Sequence, residues 1–510
     1  MRWTLPLLLA MTLMACGGSS DDEDSPETST ATSPPRGTLD GAPELVRTMP
    51  AAALLLQIAA STDPRLLAPS DLPLCDIAIY RIRYKTVGAV NESTTASTAL
   101  MIPTGVASEC RGDRPVLLYA HGTVTERAYT MTNLDNTEAL IMAAVFASQG
   151  YIVVAPNYAG YDTSTLPYHP YLVADQQSKD MIDGLRASRT ALPLASLTLT
   201  RDSGKLFITG YSQGGYVAMA THRAMQAAGM PVTASAPMSG PYALNAFVDA
   251  LFAGRVNSGA PLYSTMLITA YQRAYGNLYA SPADAFESEY ATGIESLIPS
   301  AISRGDLYAQ GKLPRTALFD STPPAPEYAD ITPATTPANL APIFASGFGT
   351  DGLLKNSFRL AYLQDASAQP DGGWPTTTNG LASASPTFGM RRGLKENDLR
   401  NWTPTAPTFL CGGNADPSVY WFNTQLMQSY WATNAATSVT VLDIDSPEVA
   451  NDPYGEWKQQ FVAAKLLVAA NAIANGATDG GAAAVADAYH DQLVPAFCLL
   501  SVRSYFEGLQ

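Results

Sequence analysis

The chain has 510 residues, of which 46% are hydrophobic and 15% charged. That is enough apolar content for a sizeable packed core, and it excludes wholesale disorder. A net charge of −15 and a pI near 4.7 exclude a polyanion binder, because nucleic-acid phosphates need Lys and Arg to displace their counterions.

The first fifteen residues read as a secretory signal rather than as fold. Arg2 supplies a positive start, Leu5 to Met14 form an apolar run, and the small Ala15 precedes Cys16. The run is too short to span a bilayer. Leu13-Met14-Ala15-Cys16 resembles the lipobox of bacterial lipoprotein signal peptides. The resemblance implies cleavage before Cys16 and lipidation of its thiol, and Gly17 in place of Asp implies the outer membrane, facing periplasm or cell surface. Residues 16–40 are rich in Ser, Thr, Pro and acid, with Asp21, Asp22, Glu23 and Asp24 in one run, and are expected to be a flexible acidic tether. Loss of Arg2 with the signal leaves 29 basic against 45 acidic residues, or −16. Anionic headgroups would repel such a surface, so membrane attachment must come from the lipid. Cys75, Cys110, Cys411 and Cys498 remain, an even number in an exported context, which predicts two disulfides among three possible pairings.

Beyond the tether, apolar strands alternate with helical periodicity, the pattern of an α/β fold. Ile77 to Thr86 and Ala96 to Ile102 predict a strand pair, Pro115 to Ala120 a buried strand, Glu138 to Gln149 a helix and Tyr151 to Pro156 a buried strand. Ala174 to Ala191 reads as a helix, Lys205 to Thr209 as a strand, Gly214 to Ala228 as a helix and Val232 to Pro237 as a strand. The pattern then breaks, and between Leu244 and about Pro404 no strand is predicted. Thr408 to Cys411 and Val439 to Leu442 resume the sheet. The expected organisation is a core of residues 41–244 and 405–510, with residues 245–404 inserted as a helical lid over one end of the sheet.

Gly210-Tyr211-Ser212-Gln213-Gly214 closes an apolar strand and opens a helix. That is where a nucleophile elbow needs small residues around a strained Ser, and the turn lifts the Ser212 hydroxyl above the sheet edge. A Ser nucleophile needs a base, and the chain has four histidines. His222 lies on the following helix and points away, while His121 and His169 precede the Ser. With the order Ser, acid, His, only His490 remains. The acid is expected after a late strand, where Gly412-Gly413-Asn414-Ala415-Asp416 follows TFLC; Asp416 is the first choice, with Asp443 and Asp445 after the next strand as alternatives. Asp416 can also form a turn or cap the next helix, without conflict. An oxyanion needs the N–H of Gln213, the residue after the nucleophile, and a second N–H from the loop after an earlier strand. Tyr119-Ala120-His121-Gly122-Thr123 makes Thr123 that donor, with Gly122 permitting close approach and His121 propping the loop rather than carrying protons.

From about Cys75 to Gln510 these motifs, in this order, resemble the α/β-hydrolase superfamily, a mostly parallel central sheet flanked by helices. Ser148 to Gly160 (SQGYIVVAPNYAG), the Gln176–Arg186 helix, the GYSQGG elbow and the large insertion resemble its secretory lipase and esterase group. Two departures stand out: Asn157 replaces a common Asp, and a long segment, Pro453 to Ala488, precedes His490, whose placement then depends on that segment folding. The resemblance implies hydrolysis of carboxylic esters, lipids or polyesters included, through an acyl-enzyme intermediate. Ser212, Asp416 and His490 would be its triad and Thr123 and Gln213 its oxyanion donors. A serine peptidase on the same fold and a surface-binding protein on a hydrolase scaffold are the alternatives. No phosphate loop, dinucleotide fingerprint or His cluster is present, so no cofactor, no metal and no nucleic acid is expected. In the lid, Tyr263, Met266, Leu267 and Tyr271 share one helical stripe, suited to an acyl pocket wall or to a packed face. Cys75 and Cys110 bracket the first strand pair, and Cys411 ends the strand before Asp416 while Cys498 follows His490 in the last helix. The expected bridges are therefore Cys75–Cys110 and Cys411–Cys498.

Overall fold

The strands pair edge to edge. In chain order they are β1 (Glu44–Met49), β2 (Asp76–Val87), β3 (Ser93–Thr104), β4 (Gly112–Ala120), β5 (Ile152–Pro156), β6 (Thr200–Tyr211), β7 (Ala234–Met238), β8 (Thr408–Gly412) and β9 (Val439–Asp443). They form one nine-stranded sheet in the order β1-β2-β3-β5-β4-β6-β7-β8-β9. The pairs β1/β2, β2/β3 and β3/β5 are antiparallel, and every pair from β5/β4 through β8/β9 is parallel. This is the mostly parallel sheet of an α/β-hydrolase fold. The computed structural model describes residues 35–61, 72–195, 199–372, 380–434 and 438–510. The expected signal at 1–15, Cys16 and the tether as far as residue 34 lie outside the described residues.

Side-chain alternation along the strands divides the core between two faces. Val116, Leu118, Ile152, Val154 and Ile208 belong to one cluster, with α3 (Ala174–Ala195) and α4 (Gln213–Ala227). Leu117, Tyr119, Val153 and Phe207 belong to the other, with α1 (Ala51–Ala60), α2 (Thr137–Val145) and the C-terminal helix. The central parallel strands are buried on both faces, which is why they read as continuous apolar runs, whereas the edge strand β9 buries only Leu442.

Residues 245–404 fold chiefly as helices, including α5 (Leu244–Phe252), α6 (Ala260–Tyr275), α7 (Asn356–Ala368) and α8 (Gly389–Asn397). Phe252, Leu267, Phe319 and Leu394 join the same cluster as α3 and α4, so the insertion shares a core with the sheet. Among the described residues the expectation of no strand there is corrected where Phe319–Asp320 pairs in parallel with Phe348–Gly349, two residues each and too short to show a period. Buried ion pairs tie the insertion together. Arg391 on α8 lies 2.7 Å from Asp249 on α5 and 2.9 Å from Asp365 on α7, while Arg400 reaches Asp371 and Asp398. Removing one member of such a buried pair strands its partner, at a cost of about 3–5 kcal/mol.

Residues 35–40, expected to belong to a tether, are joined to the fold. Gly37 N–H donates to the Lys85 carbonyl at 2.8 Å, Lys85 N–H to Thr38 at 2.9 Å and Asp40 N–H to Arg83 at 2.8 Å. Arg36 reaches the buried carboxylate of Asp183 on α3 at 2.8 Å. Residues 35–40 therefore lie along β2, because backbone groups pair irrespective of side-chain polarity and Arg36 finds a buried counter-charge.

Both disulfides join the expected cysteines. Cys75 bonds Cys110 and Cys411 bonds Cys498, with Cα atoms 5.4 and 5.7 Å apart. The second closes a loop of separation 87, which in the chain-entropy account stabilises by about 4 kcal/mol. Its ends are β8, which leads to Asp416 and on to α9 (Phe422–Thr433), and α12 (Val494–Glu507), which follows His490.

Candidate active site

The Gly-Tyr-Ser-Gln-Gly turn is sharp for steric reasons that can be measured. Ser212 sits at φ 59°, ψ −122° between β6 and α4, a conformation that costs a residue with a side chain roughly 1–3 kcal/mol. A Cβ on Gly214 would lie 1.9 Å from the Ala120 carbonyl oxygen, and one on Gly210 would lie 2.4 Å from that of Gly214, so neither position tolerates a side chain. Ser212 N–H donates to the Met238 carbonyl at 3.0 Å, which ties the turn to β7.

Three side chains brought in from separate elements meet at this turn. Ser212 Oγ lies 2.8 Å from His490 Nε2, and His490 Nδ1 lies 2.7 Å from Asp416 Oδ2. His490 occupies a widened helical turn, Tyr489–Leu493, between α11 (Ala482–Ala488) and α12. The Tyr211 hydroxyl donates to the His490 carbonyl at 2.6 Å, so the strand that presents the Ser also braces the His. Asp416 uses its other oxygen on the backbone, accepting from Ser418 and Val419 N–H at 2.9 Å each. Turn formation and contact with the imidazole thus coexist in one carboxylate. With Nδ1 donating to Asp416, Nε2 presents its lone pair to the Ser212 hydroxyl. Burial pulls the His490 pKa down, but the charge and hydrogen bond of Asp416, with the charge of Asp491, outweigh it and leave the pKa above the ordinary value.

The alternative acids do other work. Asp443 accepts from the backbone and side-chain amides of Asn414 at 3.2 and 2.8 Å. Asp445 accepts from the Tyr489 hydroxyl at 2.7 Å and pairs with Lys465. Both brace the loops on either side of the His490–Asp416 contact. The long segment before His490 is folded: α10 (Gly455–Ala474) and α11 fill it, and Phe461 sets its ring 5.7 Å from both Tyr489 and Phe497.

The loop after β4 approaches the elbow from the other side. Gly122 N–H donates to Glu138 Oε1 at 2.9 Å, and the Tyr119 hydroxyl donates to the same oxygen at 2.6 Å. His121 is fully buried, with Nδ1 2.7 Å from the Gly122 carbonyl and Nε2 3.3 Å from that of Asn157, and burial lowers its pKa. These contacts fasten the ring to its own loop and to the strand end at Asn157. Asn157 has its own duties, accepting from Met131 N–H at 2.7 Å and donating to Ser97 Oγ at 2.8 Å. His222 lies 2.8 Å from Ser235 Oγ, away from the elbow, with a pKa pushed down to about 4 by burial. Glu138, Tyr211 and His169 are site residues that sequence reasoning did not assign. Only Glu138 left a usable sign, an acid two residues after the helix-capping Asn136.

Two spaces open at Ser212. One is a narrow, mainly apolar cleft lined by Leu244, Phe247 and Leu251 of α5 and Tyr263 and Leu267 of α6, together with Gln213 and His490. Of the expected stripe, Tyr263 and Leu267 face this cleft, whereas Met266 and Tyr271 pack into the core. The other is wider and more polar, and Thr123, Glu138, Arg304, Asp491 and Gln492 are among its lining. Ser212 borders both, as a bond-breaking centre between two halves of a substrate would.

Residues 126–232 match the model of the secretory lipase family. Among solved structures, the rice cell wall degrading esterase LipA from Xanthomonas oryzae is 25% identical, with a TM-score of 0.68 over 94% of this chain and 100% of that one. A hydrolase from Legionella pneumophila shares the fold at 20% identity and a TM-score of 0.59, over 79% of this chain and 91% of that one. No curated protein sequence matches the chain.

Proposed function

We propose that this chain, a carboxylic ester hydrolase of the α/β-hydrolase fold similar to secretory lipases and esterases, cleaves esters through an acyl-enzyme on Ser212. His490 takes the Ser212 proton as Oγ attacks the ester carbonyl, then returns it to the leaving alcohol. Asp416 holds the imidazole in the needed tautomer and stabilises its charged form. The backbone N–H groups of Gln213 and Thr123 receive the oxyanion, and water releases the acyl group. The observation that carries this reading is the unbroken relay from Ser212 Oγ to His490 to Asp416, at 2.8 and 2.7 Å.

The two spaces at Ser212 divide the substrate. The apolar cleft under α5 and α6 takes the acyl chain and the polar space takes the alcohol. Turnover of p-nitrophenyl acyl esters with none of aminoacyl p-nitroanilides is the expected result; the reverse preference makes the protein a peptidase, and neither activity makes it a binding protein. Leu267→Trp, which fills the cleft, should cost a long-chain ester at least about tenfold more in kcat/KM than an acetate ester, since each lost apolar contact is worth about 1–3 kcal/mol. Equal losses would show that the acyl chain binds elsewhere.

We also propose that the protein is exported and anchored to the outer membrane through lipid on Cys16, its net negative surface offering no other hold. Cys16→Ser should move it from the detergent phase to the aqueous phase. Partitioning that does not change removes the anchor.

A further inference from the structure

His169 is buried 10 residues after Ala159 and takes no part in the proton relay. Its Nδ1 lies 3.0 Å from the Ala159 carbonyl oxygen. A carbonyl only accepts, so Nδ1 carries the proton and Nε2 carries the lone pair. Burial pushes its pKa down to about 3, so this state holds throughout the range in which an esterase is assayed. The Gln213 side-chain amide donates to Nε2 at 2.7 Å, and the Gln177 amide approaches the same atom at 3.3 Å. The residue whose backbone N–H is placed to meet the oxyanion is therefore held by the far end of its side chain.

The same imidazole reaches the opposite side of the oxyanion site through aromatic rings. The Tyr158 ring stacks against it, 5.5 Å away at 19°, and also against His121, 4.1 Å away at 30°. His121 in turn contacts the Gly122 carbonyl at 2.7 Å. The Tyr171 ring lies 6.2 Å from His169 at 64°, and its hydroxyl is 3.0 Å from Thr123 Oγ1. Gly160 makes the arrangement possible: a Cβ there would lie 2.3 Å from the Tyr168 carbonyl oxygen and 3.0 Å from His169 Cα. One buried ring thus touches the residue carrying one donor and, through a single ring on each path, the loop carrying the other.

We propose that His169 is a positioning residue that, by accepting from Gln213 and packing against Tyr158 and Tyr171, sets the spacing of the Gln213 and Thr123 amides around the oxyanion. The proposal rests on the reading of those two amides as the oxyanion donors. Misplacing a donor matters only where charge develops, so the effect belongs to the transition state and not to ester binding.

The test compares His169→Phe, His169→Gln and Gln213→Met with p-nitrophenyl butyrate as substrate. His169→Phe should lower kcat roughly 30- to 300-fold, up to the effect of losing one oxyanion donor, with KM changed less than about twofold. Inhibition by butylboronic acid, which becomes tetrahedral on Ser212, should weaken by the same factor, and the acid limb of the pH profile should stay in place because His490 sets it. His169→Gln, which offers an amide oxygen in place of Nε2, should recover most of the loss. Gln213→Met tests the same link should His169→Phe fold poorly: it should lose kcat similarly, and the double variant should be no worse than either single one. Full activity in His169→Phe or in Gln213→Met, additive losses in the double variant, undiminished boronate inhibition, a displaced acid limb, or no recovery in His169→Gln would each overturn the proposal. Ser212→Ala separates the two readings. An inactive Ser212→Ala beside a fully active His169→Phe rejects only this inference, whereas an active Ser212→Ala rejects the nucleophile itself.

Discussion

Replacing Ser212 by alanine should abolish ester turnover, a loss of roughly 10⁵- to 10⁶-fold in kcat, without unfolding the protein. In the proposed reaction the hydroxyl is the atom that attacks, and its partner in the structure is His490 Nε2 at 2.8 Å. The backbone of the turn is held by other groups, among them the Ser212 N–H bond to Met238 and the close contacts of Gly210 and Gly214. His490→Ala should fall nearly as far, and the double variant no further, because members of such a relay act as a unit. Single-turnover assays with an unfolding curve for each variant decide the matter. Residual activity in His490→Ala above that of His169→Phe would sink the assignment of the base.

The parts of this site that were legible in the sequence are those whose requirements are local. The elbow needs small residues within two positions of the Ser, because the Ala120 and Gly214 carbonyls pass so close, and a strand and a helix must abut it; all of that is written in consecutive letters. The acid lies in the loop that directly follows β8, again a local statement. His490 carries no local motif and stands out only as one of four histidines; the folding of α10 and α11 brings it 2.8 Å from Ser212. Cysteine pairing followed from strand and helix order, since each pair brackets a unit whose ends must return to one another.

What could not be read is whatever acts between distant positions through unpatterned side chains. Arg391 and Asp249 are separated by 142 positions and look in sequence like two ordinary charges, yet both are buried and paired. Strand β1, ELVRTM, leaves all but Met49 exposed, so it shows neither alternation nor an apolar run and its existence depends on β2. The docking of residues 35–40 is a backbone event that composition does not register. His169 precedes Ser212, a position that bears on proton transfer but not on accepting a hydrogen bond from Gln213. Order along the chain excludes roles in the relay; it does not exclude support of it.

Asp416→Asn should separate the two services that this carboxylate performs for His490. An asparagine can donate from its amide to Nδ1, which would place the ring proton on Nε2, facing Ser212, and remove the base; a loss of about 10⁴-fold in kcat is expected for the wrong tautomer with the geometry intact. The second service is electrostatic. Burial by itself draws the His490 pKa down, and the charge and hydrogen bond of Asp416, with Asp491 adding to them, raise it above the ordinary value. Only neutral His490 can accept the Ser212 proton, so wild-type kcat/KM should fall as the pH drops through this raised pKa. Without the Asp416 charge the burial effect prevails, the pKa drops, and the acid limb of whatever activity remains must move to lower pH even as the plateau collapses. Asp491→Asn should shift the limb the same way by a smaller amount with little loss of plateau, because Asp491 acts on the ring only through its charge. pH profiles of kcat/KM for the three proteins, measured with one activated ester, decide it. An acid limb that stays fixed or moves upward in Asp416→Asn would mean that another group sets it, and that the Asp416–His490 contact is not what tunes the base.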